Sequence, residues 1–127
     1  MTVRETTSSF VDRINKHDID GLAELMSSDH VFIDAHGNSV SGKEEMIAGW
    51  RGYLEWFPDY YLEVADVLEN GNTVALFGVA GGSFKGNKTE SWRLPAAWKA
   101  VVKDGQVTLW QVFADTKIPF DIIARNS

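Results

Sequence analysis

The chain has 127 residues and no cysteine, with 12 Lys and Arg against 18 Asp and Glu, a formal charge of −6. That length makes one domain, residues 1–127, and 44% apolar with 24% charged residues excludes a disordered chain. The negative balance argues against a nucleic-acid partner, and the missing cysteines remove disulfides, thiolate catalysis and zinc–thiolate sites.

Three helical signals open the chain. Thr2 and Glu5 have capping-box spacing, and Val3, Phe10, Val11 and Ile14 follow on one face, which predicts a helix over about 3–16. Asp18 is the expected N-cap of a short second helix with Ile19, Leu22, Leu25 and Met26 turned inward. Ser41-Gly42-Lys43-Glu44 repeats the capping-box pattern. Met46, Ile47, Trp50, Leu54 and Phe57 then mark a third helix, stopped by Pro58.

A short strand, His30 to His36, lies between the second and third helices. Four extended runs follow, at about 60–69, 73–84, 89–103 and 106–115. Asn70-Gly71, Lys85 to Lys88 and Asp104-Gly105 supply the turns between them. Gly81-Gly82 and Pro95, inside strands, are expected to mark bends. Helices grouped before a meandering sheet define an α+β class. The expected shape is a cone: a strongly curved antiparallel sheet with the three helices on its concave face and a cavity at its open end. A second copy of the chain, packed on the convex face, makes a homodimer. No segment approaches the roughly 20 apolar residues that cross a bilayer, and the first residues lack the apolar core of a signal peptide. The setting is therefore expected to be cytoplasmic, with no membrane partner.

Strand alternation puts Phe32, Asp34 and His36 on one face. Two ionisable groups beside a phenylalanine, facing helices, are costly unless they are used or paired. Asp34 then reads as a general base, or as the partner that orients His36. The plainer reading has Asp34 capping the turn before Gly37-Asn38 and His36 meeting water. Arg93, beside Trp92, either clamps an anion or pairs with a carboxylate on a neighbouring strand. Five tryptophans exceed what a small core requires. Trp50 and Trp98, with Tyr53, Phe32 and Phe113, are the expected pocket walls, and Phe10 and Trp92 join the ligand-binding set. His17, His30 and His36 are scattered without metal-ligand spacing, and Gly78, Gly81 and Gly82 precede no helix. Neither a metal nor a nucleotide cofactor is expected.

The segment Phe10 to Gly37, with Asn15-Lys16-His17-Asp18-Ile19-Asp20-Gly21-Leu22 and His30 to Gly37, resembles the nuclear transport factor two-like superfamily. So does the ending Trp110-Gln111-Val112-Phe113-Ala114-Asp115. The branch it is most similar to is the SnoaL-like and ketosteroid-isomerase-like group. The resemblance spans the chain and implies the cone fold, a ligand pocket and a dimer. It places the isomerase general base on Asp34. The oxyanion tyrosine falls on Phe10, its supporting tyrosine on Trp50, and the second oxyanion group on Ala96 or Ala97. Both oxyanion donors are thus lost. Similar cyclases carry an acid/base aspartate near Asp115, which joins the ligand-binding set, while its plainer reading is a cap on the Thr116-Lys117 turn. The fold hosts isomerases, dehydratases, hydrolases, cyclases and non-catalytic proteins, so it does not fix an activity.

Three functions follow from this. One is a cofactor-independent acid/base enzyme acting on a small, apolar or aromatic, carbonyl-bearing molecule. The second is a dimeric binding or accessory module using the same cavity without turnover. The third uses the convex face alone and predicts a filled interior.

Overall fold

The computed structural model describes residues 1–127. Thr2 and Glu5 close the anticipated capping box, each side chain accepting the other's backbone N–H at 3.0 Å, and start helix α1 (Val3–Asn15). Asp18 caps α2 (Ile19–Leu25) by accepting the Gly21 N–H at 2.9 Å. Strand β1 (Met26–Ile33) begins directly after α2, earlier than expected, and ends before Asp34. A three-residue strand β2 (Ser39–Ser41) returns beside it. Helix α3 (Lys43–Trp56) starts at Gly42, not through a capping box: Gly42 has φ 102°, and Ser41 is spent in β2. Strands β3 (Tyr61–Asn70), β4 (Thr73–Ser83), β5 (Ser91–Lys103) and β6 (Gln106–Phe113) form the meander. Two 3-10 turns fill the β4–β5 connection where a tight hairpin was anticipated. Helix α4 (Lys117–Arg125) closes the chain and was not anticipated.

The six strands run in the order β2-β1-β6-β5-β4-β3. All neighbours are antiparallel except β1 and β6, which are parallel, so the sheet is mixed, curved and unclosed. The expected antiparallel sheet becomes mixed at this one pairing. β1 and β6 are joined not by a hairpin but by the long stretch of β2, α3 and β3 to β5, and a long return of that kind allows parallel pairing.

Curvature has local causes. Register slips between Val64 and Asp66 in β3 and between Val101 and Val102 in β5, which bends the strands. Gly81 and Gly82 keep regular pairing opposite Arg93 and Trp92. Their role is space. A Cβ at Gly81 would sit 2.5 Å from the Tyr61 hydroxyl, and one at Gly82 would press on Phe57 at 3.2 Å.

The core lies between the sheet and α1, α2 and α3. Phe10, Ile14, Leu22, Met26, Trp98, Val107 and Trp110 are all buried there. No helix is long and apolar enough to cross a membrane.

Candidate functional site

The interior is not filled throughout. A partly open cavity of about 220 Å³ lies between β1, α3 and α4. Phe32, Val40 and Trp110 wall one side, Met46, Trp50 and Tyr53 of α3 the other, and Pro119, Phe120 and Ile123 of α4 form the roof. Phe57 and Tyr60 also line it. The volume falls below the roughly 300–1,000 Å³ of pockets for drug-sized ligands, so it suits a small occupant.

Asp34 and His36 both lie on this cavity, although strand alternation does not put them there. β1 stops at Ile33, and a turn carries the chain back to β2. Asp34 organises that turn. Its Oδ1 accepts the backbone N–H groups of His36 and Asn38, both at 2.9 Å, and the Asn38 side chain donates to Oδ2 at 3.4 Å. The carboxylate is thereby held in one orientation, with Oδ2 the less engaged oxygen. His36 is exposed; its Nε2 lies 2.9 Å from the Thr116 hydroxyl, and its ring packs against Phe120 at 5.1 Å. His36 therefore ties the β1–β2 turn to the start of α4.

Tyr53 and Tyr60 stand edge to face, centroids 5.0 Å apart, with Phe57 against Tyr53 at 5.2 Å. Burial pushes both phenols above their ordinary value of 10, and Tyr53 adds to the push on Tyr60. Both are O–H donors at neutral pH.

Of the anticipated site residues, Asp34, His36, Phe32, Trp50 and Tyr53 meet at the cavity. Five others lie elsewhere. Phe10 is wholly buried behind it, 5.0 Å from the Trp110 ring, because α1 packs flush on the sheet. Trp98 stacks on the far side of Trp110, with rings 22° apart. Trp92 packs on Phe57 and Tyr60 from outside the cavity. Phe113 is 49% exposed, since two-residue alternation after Trp110 and Val112 turns it to the other face. Asp115 accepts the Lys117 N–H at 3.1 Å and so caps the turn into α4. Arg93 pairs with Glu63 at 2.9 Å and donates to the Tyr61 hydroxyl at 2.8 Å.

Sequence reasoning missed the roof and Tyr60. Signals for both exist: Pro119, Ile122 and Ile123 have helical spacing with proline in the first turn, and Tyr60 shares a strand face with Leu62 and Val64. No three His, Asp or Glu side chains converge anywhere as metal ligands would.

The family model of the SnoaL-like domain matches residues 8–110. No curated protein sequence matches the chain. Among solved structures, a candidate SnoaL-like polyketide cyclase from Jannaschia sp. CCS1 is 22% identical, with TM-score 0.82 over 96% of this chain and 91% of that one. IdmH, a candidate polyketide cyclase from Streptomyces antibioticus, is 19% identical, with TM-score 0.79 over 98% and 99%. A hypothetical protein from Catenulispora acidiphila with a ketosteroid isomerase-like fold, solved with trimethylamine, is 19% identical, with TM-score 0.78 over 88% and 86%. At these identities the likeness is one of fold. With the family match over most of its length and this architecture behind it, the chain belongs to the SnoaL-like domain family.

Proposed function

We propose that the cavity binds a small, largely apolar, carbonyl-bearing molecule and that Asp34 moves a proton on it without a cofactor. The observation that carries this reading is a carboxylate, fixed at Oδ1 by two backbone N–H groups, on the wall of a largely apolar cavity. Oδ2 is the oxygen placed to take the proton, and His36 assists at the mouth. The likeness to candidate polyketide cyclases supports a carbonyl-bearing occupant.

Asp34→Asn is the decisive variant. Asparagine keeps the side-chain oxygen that accepts the His36 and Asn38 N–H groups, so the turn survives while the base is lost. Exchange of α-protons in D₂O, followed by NMR on a panel of small aryl and cyclic ketones, should be accelerated by the native chain. The variant should lose about a hundredfold or more of that acceleration. Equal exchange by both proteins removes Asp34 as the base.

One observation favours a second reading, a non-catalytic binding module. Every hydrogen bond to the Asp34 carboxylate comes from its own turn, which is what a purely structural aspartate would show. That reading requires ligand binding with no exchange at all.

We further propose a homodimer through the convex face. Phe77, Ala97 and Phe113 lie side by side across β4, β5 and β6, and Phe77 and Phe113 are 42% and 49% exposed. Phe113→Lys should shift sedimentation to the monomer. A native chain that already sediments as a monomer rules the dimer out.

A further inference from the structure

We infer that the Tyr53 and Tyr60 hydroxyls form a paired donor site that selects a neutral ligand by its carbonyl oxygen. The inference rests on the cavity being a ligand site, as proposed above, and adds what it recognises.

Three observations converge. Both rings line the cavity and meet edge to face at 5.0 Å, one from the last turn of α3 and the other from the residue before β3. Neither hydroxyl has a hydrogen-bond partner in the chain, whereas the Tyr61 hydroxyl, on the outer surface, accepts from Arg93. Neither phenol oxygen is among the atoms sealed from solvent, so both donors open onto the cavity, free for an acceptor that an incoming group supplies. The indole N–H of Trp50 is a different case: it is sealed from the cavity's solvent and unpaired, so it takes no part.

The charge of that acceptor follows from the rest of the lining. No Lys or Arg lies on the cavity, and its one carboxylate is that of Asp34. A carboxylate or phosphate ligand would be desolvated among apolar walls with no cation to pair it, and would face Asp34. An uncharged carbonyl oxygen, with two lone pairs for two donors, meets neither cost. The donors and the carboxylate reach the one cavity from different elements, Tyr53 from α3, Tyr60 from the residue before β3 and Asp34 from the turn after β1.

A matched pair of probes tests this. 2-Acetylnaphthalene and 2-ethylnaphthalene share a shape and differ in the carbonyl; their binding to the full chain is measured by calorimetry. The native protein should bind the ketone about tenfold more tightly, the scale of one or two net hydrogen bonds. Tyr53→Phe and Tyr60→Phe should each shrink that ratio, and the double variant should abolish it. Equal binding of ketone and hydrocarbon by the native chain overturns the donor pair and leaves the cavity reading intact. A ratio that survives in the double variant does the same. If neither probe binds, both fail together. Loss of the ratio alongside normal exchange by Asp34→Asn would uphold the donor pair and remove only the base.

Discussion

The two ends of the concave interior contrast sharply. Under α1 the space is solid: Phe10, Trp98 and Trp110 stack through centroid distances of 5.0 and 6.5 Å, with Ile14, Leu22 and Val107 closing around them. Under α3 and α4 it is hollow. Trp110 is the partition, touching Phe10 and Trp98 on one side and lining the cavity on the other. The difference lies in what each helix presents. α1 offers phenylalanine and isoleucine to the sheet, whereas α3 sets Gly49 on the cavity and α4 spans it as a short roof. A cavity here is made by helices that cover without filling.

The largest test of that contrast is Phe10→Ala. Removing a buried ring from close-packed surroundings should cost about 3–5 kcal/mol in denaturant unfolding. A much smaller loss would mean that the solid end is loosely packed after all.

Next comes acid. His30 is wholly buried at the solid end, in the irregular stretch of β1 where Met26 pairs Val107 but Val31 already pairs Leu109. Its Nδ1 lies 2.7 Å from the Val107 carbonyl, so it carries the proton, and Nε2 has no partner. Burial depresses its pKa below 6.5, against the pull of the Val107 carbonyl and Asp29. The unfolded chain therefore takes up a proton before the folded one does. Stability from this group is full above about pH 6.5 and declines as pH falls toward the folded value. His30→Gln, which keeps a donor but does not titrate, should flatten that part of the pH–stability curve; an unchanged slope would place the acid sensitivity elsewhere.

Smaller effects belong to the hollow end. Gly49→Ala should stabilise by about 0.5–1 kcal/mol through helix propensity, since the added Cβ would meet only Met46 at an ordinary 3.6 Å. The same methyl narrows the cavity, so probe affinity should move while stability rises. Phe120→Ala, at a side chain 47% exposed, should shift the unfolding midpoint least of all. A loss as large as at Phe10 would show the roof to be part of the core.

Local chemistry made much of this legible in advance. The Thr2 and Asp18 caps, the run of apolar residues on α3 and the turn at Asp104-Gly105 each depend on neighbours within a few residues, while the turn expected at Asn70-Gly71 falls one residue later, at Gly71-Asn72. Asp34 was legible for a partly mistaken reason: its place on the cavity comes from a turn it organises itself, not from strand alternation. Trp98 and Phe113 were misplaced because an aromatic ring looks the same in sequence whether it faces a void, a core or solvent. Tyr60 was passed over because its significance needs Tyr53 beside it, from another element.

Sequence alone determined the class, the starts of α1 and α2, the β5–β6 turn and the family, since these rest on short-range hydrogen bonding and on the period of apolar residues. Tertiary structure decided the parallel β1–β6 pairing, the α4 roof and which rings bound the void. Those depend on how surfaces distant in the chain meet, and the space between two surfaces is a property of neither one taken singly.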